Sequence, residues 1–183
     1  MRSFVNMLAI AAISLGVLSG CSGKADKTAD TSATAEKRLA QLEDQEAIRQ
    51  LLLDYGHTLD TRDFAGFAAL FADDAVYVGG GPTGESHGPA AIRAALEKTF
   101  AANPSGVSGP NMHLFFNESI HLDGDKATGV SKGVFTVQNA DGKPDMLIFA
   151  TYRDTFVRVN GQWKFERRDV RGDIPAPRKP ASN

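Results

Sequence analysis

The carboxy-terminal half of the chain limits the fold more than any other feature. Four segments there read as strands, over 112–122, 126–138, 146–159 and 162–170. Between them stand Asp123-Gly124, Asp141-Gly142 followed by Lys143-Pro144, and Asn160-Gly161. Gly and Asn reach positive φ at little cost, so these positions suit tight hairpins. Consecutive strands joined by hairpins pair antiparallel, which predicts a meander and not a βαβ unit. A long antiparallel sheet has an apolar face that other elements must cover.

The amino-terminal half supplies that cover. Ile48, Leu52, Tyr55 and Leu59 recur at helical spacing with Leu51 alongside, predicting an amphipathic helix over 39–59. Phe64, Phe67, Leu70 and Phe71 predict a short second helix, and "DAVYV" from Asp74 a strand. "GGGPTGES" lacks the Lys-Ser/Thr of a phosphate loop and reads as a bend. Gly88-Pro89 opens a third helix with Ile92, Leu96 and Phe100 in one row. The expected fold class is therefore α+β, three N-terminal helices packed on a curved antiparallel or mixed sheet. A sheet curved around helices encloses a conical cavity wherever its inner side chains do not fill the space.

The two ends read differently. "MRSFVNMLAIAAISLGVLSGC" has an early Arg, an apolar stretch too short to span a bilayer, and small residues before a cysteine. Leu18-Ser19-Gly20-Cys21 resembles the bacterial lipobox, which implies cleavage before Cys21 and lipidation of its thiol and new amine. Several buried acyl chains make a stable anchor. Ser22 stands where an inner-membrane retention signal would carry Asp, so the expected address is the cell envelope, at the outer membrane facing the periplasm. "SGKADKTADTSATAEK" lacks large apolar residues and reads as a flexible tether. The expected organisation is a signal peptide over 1–20, lipidated cysteine and tether over 21–37, one domain over 38–172 and a Pro-rich disordered tail over 173–183.

Several chemistries are excluded. Cys21 is the one cysteine, so once acylated it leaves no disulfide, cysteine zinc site or thiol nucleophile. A net charge of −2 gives no electrostatic case for nucleic acid. No HExxH or other metal-ligand spacing and no Gly-x-Ser-x-Gly elbow is present.

Candidate site residues cluster near "MHLFFN", 112–117. Alternation places His113, Phe115 and Asn117 on one strand face and Met112, Leu114 and Phe116 on the other. The two polar groups are either satisfied within the core or line a cavity. Asp60 falls about 100° from the centre of the first helix's apolar face, where it either reaches a cavity or N-caps the second helix. Tyr55 belongs to the core face, with its hydroxyl free to reach a cavity. Tyr152 and Asp154 share a strand face beside the Arg167-Arg168 strand. An Asp154–Arg bridge and an arginine gripping a ligand carboxylate are both open. His57 and His87 read as surface residues and His121 as a strand end.

"AIRQLLLDYGHTLDTRDFAGFAALFADDAVYV", "GPAAIRAAL", "HLFFNESIHLDGDKA" and "YRDTFVRVNGQWKFERR" occur in this order. Together they resemble a SnoaL-like domain of the nuclear transport factor 2-like superfamily. The resemblance implies a cone-shaped α+β barrel with a pocket at its open end, and cofactor-free dehydratases or isomerases among its members. It implies catalytic roles for Asp60, His113 and Tyr55, with no cofactor. From their strand positions, Asn117 (either holding a substrate carbonyl or hydrogen-bonding across strands) and Tyr152 are the expected substrate contacts, and no metal is expected. The second strand histidine of such dehydratases has no counterpart; Val137 or a neighbour stands there. Expected partners are a small apolar molecule, a bilayer holding acylated Cys21, and a second copy docked through the sheet. A non-catalytic ligand-binding lipoprotein and a dimeric scaffold are the alternatives.

Overall fold

The structure is a computed structural model and describes residues 22–80, 83–102 and 110–175. The expected signal peptide, Cys21 and most of the expected tail lie outside the described residues, while Asp173 and Ile174, read as the start of that tail, belong to the last strand. The chain divides into a leading unit, Met1–Arg38, and a folded unit, Leu39–Asn183.

Helix α1 (Ser22–Asp60) starts well before the expected position 39. Its early part takes in the segment read as a tether. Ala, Lys and Glu favour helix there, and Thr34 Oγ1 bonds the Asp30 carbonyl at 2.8 Å. Every side chain from Asp30 to Arg38 is exposed, so no packing supports this stretch.

In the folded unit, α1 buries the stripe the periodicity indicated: Ile48, Leu51, Leu52, Tyr55 and Leu59. Helix α2 (Phe64–Ala69) is capped by Asp63, whose carboxylate accepts from Gly66 N at 2.8 Å. Asp63, and not Asp60, is therefore the N-cap. Phe71, expected on that helix, instead opens strand β1 (Phe71–Gly79), because Phe165 N donates to the Leu70 carbonyl and draws the chain into the sheet. Strand β2 (Gly84–His87) replaces the expected bend by pairing antiparallel along β1. Helix α3 (Gly88–Ala102) buries Ile92 and Leu96, and its Phe100 meets Phe64 at 5.4 Å.

Four long strands complete the sheet: β3 (Asn111–Asp123), β4 (Lys126–Gln138), β5 (Pro144–Val159) and β6 (Gln162–Ile174). The order is β2-β1-β6-β5-β4-β3, antiparallel throughout except for the parallel pair β1–β6. Asn160 and Gly161 have φ of 51° and 80°, the left-handed pair that a two-residue hairpin needs.

Strand β3 departs from simple alternation. Phe116 pairs with Lys132 and Ser119 with Val130, so Asn117 and Glu118 oppose Ser131 alone. This is a β-bulge, with Asn117 at φ 54°. Inward positions are His113 and Phe115 before it, but Ile120 and Leu122 after it. Asn117 is exposed and does not share the face of His113.

Candidate functional site

The last residue of α1 meets the first turn of β3. Helix α1 closes with Thr61 N on the His57 carbonyl and Asp63 N on the Thr58 carbonyl. That closure leaves the Asp60 carboxylate free to turn toward the sheet. Its Oδ1 lies 2.6 Å from His113 Nδ1, and its Oδ2 accepts from His113 N at 2.9 Å. Asn111 Nδ2 donates to the same Oδ1 at 2.7 Å. Side-chain exposure is 11% for His113 and 19% for Asp60. An ionised carboxylate only accepts, so Nδ1 must carry the proton. In the neutral ring, Nε2 then holds the lone pair, the arrangement of a general base.

Aromatic rings enclose the histidine. Phe135 stacks on it at 4.5 Å, and Tyr55 meets it edge-on at 6.4 Å. Gly56 lets β3 approach the helix: a Cβ there would stand 3.0 Å from Phe115 Cε2 and 3.4 Å from His113 Cβ. The Tyr55 and Tyr77 hydroxyls lie 3.1 Å apart. One donates to the other, so the pair keeps one O–H for a further acceptor. Burial raises the Tyr55 pKa well above the ordinary phenol range and pushes Tyr77 to about 12, so both stay protonated at neutral pH.

Behind the tyrosines lies a wholly buried ion pair. Arg168 Nη1 donates to Asp154 Oδ2 at 3.0 Å, from directly opposed positions on β6 and β5. The guanidinium carbon sits 3.9 Å from the Tyr55 ring centre, 4.5 Å from Tyr152 and 4.7 Å from Phe165. Such cation–π contacts offset part of the cost of burying the charge. Arg168 Nε and Nη2 and Asp154 Oδ1 have no hydrogen-bond partner among the described residues. Burial pushes the Asp154 pKa up to about 6, against the opposing pull of Arg168. The bridge reading of Asp154 and an arginine thus holds, with Arg168 as the partner.

Of the sequence candidates, Asp60, His113 and Tyr55 come together. Tyr152 is buried against Tyr55 at 6.1 Å and Phe115 at 5.1 Å, facing Arg168. Asn117 does not join them, because the bulge turns it out. His57 and His87 are exposed as expected, and His121 lies near the end of β3 and is exposed. Val137 pairs with Asn111, opposite the start of β3. Sequence reasoning missed Tyr77, Asn111 and Arg62. Asn111 stands two residues before His113 on the same face, a signal that alternation could have supplied. A groove of about 560 Å³ near Asp44, Arg158 and Trp163 includes none of the site residues.

Three helices on a six-stranded mixed sheet are the architecture of the nuclear transport factor 2-like proteins, and the helix-end Asp60 bonds the strand His113 within it. Residues 40–169 match the model of the SnoaL-like domain, and the chain belongs to that family. A nuclear transport factor 2-like protein with a cystatin-like fold from Novosphingobium aromaticivorans is 25% identical. That match covers 79% of this chain and 91% of the other, with a TM-score of 0.69. A candidate scytalone dehydratase from the same organism is 27% identical over 73% of this chain and 87% of that one, with a TM-score of 0.62. A type 2 hexachlorocyclohexane dehydrochlorinase shares the fold at 21% identity, covering 75% and 90%, with a TM-score of 0.64. Among proteins of curated function, none matches the chain.

Proposed function

We propose that the protein is a cofactor-free lyase or isomerase acting on a small, mostly apolar carbonyl compound. The observation that carries this reading is the 2.6 Å contact between Asp60 Oδ1 and His113 Nδ1, which selects Nε2 as the base. In the proposed reaction His113 takes the proton α to the carbonyl, and the electron pair moves onto the carbonyl oxygen. The free O–H of the Tyr55–Tyr77 pair donates to that developing enolate. In a dehydratase, the imidazolium returns its proton to a β-hydroxyl, which leaves as water as the double bond forms. In an isomerase, the same proton goes back to another carbon. Phe115 and Phe135 beside the histidine suit an apolar substrate body. The 27% identical relative named for scytalone dehydratase supports the same reaction class.

The second reading is a ligand-binding lipoprotein, favoured by the absence of a second strand histidine, whose place Val137 or a neighbour holds. The lipid anchor and envelope address rest on the lipobox-like Leu18-Ser19-Gly20-Cys21. A homodimer through the sheet is supported by exposed Met112, Leu114, Phe116, Val130 and Met146. No helix among the described residues is long and apolar enough to cross a membrane.

Incubation of the pure protein with a panel of β-hydroxy ketones and β,γ-unsaturated ketones, followed by mass and proton NMR spectra, separates the readings. Loss of water or double-bond migration supports catalysis. Recovery of an apolar compound unchanged from denatured protein, with no turnover of the panel, supports binding.

A further inference from the structure

The Asp60 carboxylate has a competitor for its attention. Arg62 lies two residues beyond it, at the left-handed φ of 61°. That turn brings the guanidinium back over the helix end. Nη1 donates to the Leu59 carbonyl at 2.6 Å, and the guanidinium carbon sits 4.1 Å from the Phe100 ring centre. A half-buried arginine this close to a carboxylate would ordinarily form a salt bridge with it. Here, Arg62 Nη2 instead donates to Asn111 Oδ1 at 2.7 Å, while Asn111 Nδ2 donates to Asp60 Oδ1. The amide orientation is dictated by chemistry. Reversed, it would set its NH₂ against the guanidinium and its oxygen against the carboxylate.

We infer that Asn111 is a positioning residue that insulates Asp60 from Arg62, occupying the arginine's donor so that the carboxylate stays on His113. This rests on the proposed role of the Asp60–His113 pair, but it concerns the pair's geometry before any substrate binds. The position suits the task. Asn111 opens β3 and its backbone is paired with Val137, so the amide is anchored to the sheet and bridges to the helix end. A neutral donor leaves Asp60 accepting from His113 N, His113 Nδ1 and Asn111 Nδ2. A cation in the amide's place would draw the carboxylate away from the ring.

The test is a cycle of Asn111→Ala, Arg62→Gly and the double variant. Glycine suits the positive φ of Arg62, so the backbone turn survives the loss of the guanidinium. The readout is the ¹⁵N spectrum of the His113 ring in protein without substrate, which reports whether Nδ1 or Nε2 carries the proton. The expected result for Asn111→Ala is loss of the uniform Nδ1–H form as Arg62 takes Asp60. In the double variant that form returns, because the competing cation is gone. Turnover, where measurable, follows the spectra: about tenfold or more down in the single variant and largely recovered in the double. An unchanged Asn111→Ala spectrum overturns the inference. So does a double variant no better than the single one, since a purely structural role gives additive losses. If the spectra behave as expected while no variant and no wild-type protein turns over substrate, the insulation stands and the enzymatic reading fails.

Discussion

Arg168 and Asp154 face each other across β6 and β5, joined by one 3.0 Å hydrogen bond, with side-chain exposures of 0% and 1%. Desolvating two charges costs several kcal/mol each, and a single bond plus the surrounding rings returns only part of it. The pair therefore sets local geometry under Tyr55 and Tyr152 more than it adds stability.

A pH dependence follows from that cost. The Asp154 pKa is pushed by burial from 3.8 to about 6, so between about pH 4 and pH 6 the native state holds a proton that the unfolded chain has released. Stability contributed by this residue is fully present below about pH 4 and declines as pH rises to about 6. The loss is on the order of 2–3 kcal/mol at one pKa unit per 1.36 kcal/mol. Urea midpoints of wild type and Asp154→Asn between pH 4 and 7 measure it. The wild type is expected to lose stability relative to the variant as pH rises, and parallel curves would contradict this.

Removing one member of the pair is expected to be worse than removing both. Asp154→Ala leaves the Arg168 charge buried without a counterion, at a cost of about 3–5 kcal/mol. The double variant Asp154→Leu/Arg168→Met replaces the pair with apolar groups and is expected to recover most of that loss in thermal unfolding.

Gly133 is expected to resist substitution for want of space. A Cβ there would stand 2.8 Å from Tyr152 Cε2 and 3.1 Å from the backbone oxygen of Leu114. The strand cannot retreat from its own partner, so Tyr152 must shift against Tyr55 and Arg168. Gly133→Ala is expected to cost about 1–3 kcal/mol in denaturant unfolding.

Asp63 provides a contrast with Asp60. Asp63→Ala removes the cap of α2 and is expected to cost about 1 kcal/mol of stability, with turnover per folded molecule unchanged. Equal turnover losses at Asp63 and Asp60 would place the effect in the helix junction and not in the His113 partnership.

Local chemistry made much of this legible in the sequence. Asn160-Gly161 specifies its hairpin by φ alone, and the Ile48–Leu52–Tyr55–Leu59 stripe specifies the buried face of α1. Asp60 and His113 were recognisable through the helix-end aspartate and strand histidine that the family resemblance implies. Asn117 was misplaced because a bulge reverses the parity of β3, and no pattern of residues announced where the extra residue falls. Tyr77 was legible as a strand residue, but its hydroxyl contact with Tyr55 depends on the parallel pairing of β1 with β6. The helix over 22–37 was hidden because the segment carries no apolar face and is rich in Ser, Thr and Asp.

The most direct test of the central claim is the rate of turnover by His113→Ala and Asp60→Asn on a carbonyl substrate that the wild type converts. Circular dichroism confirms that each variant is folded. Loss of the base is expected to cost about 10²–10⁴-fold in kcat for His113→Ala, with a smaller but clear loss for Asp60→Asn. Wild-type turnover by folded His113→Ala would contradict the account.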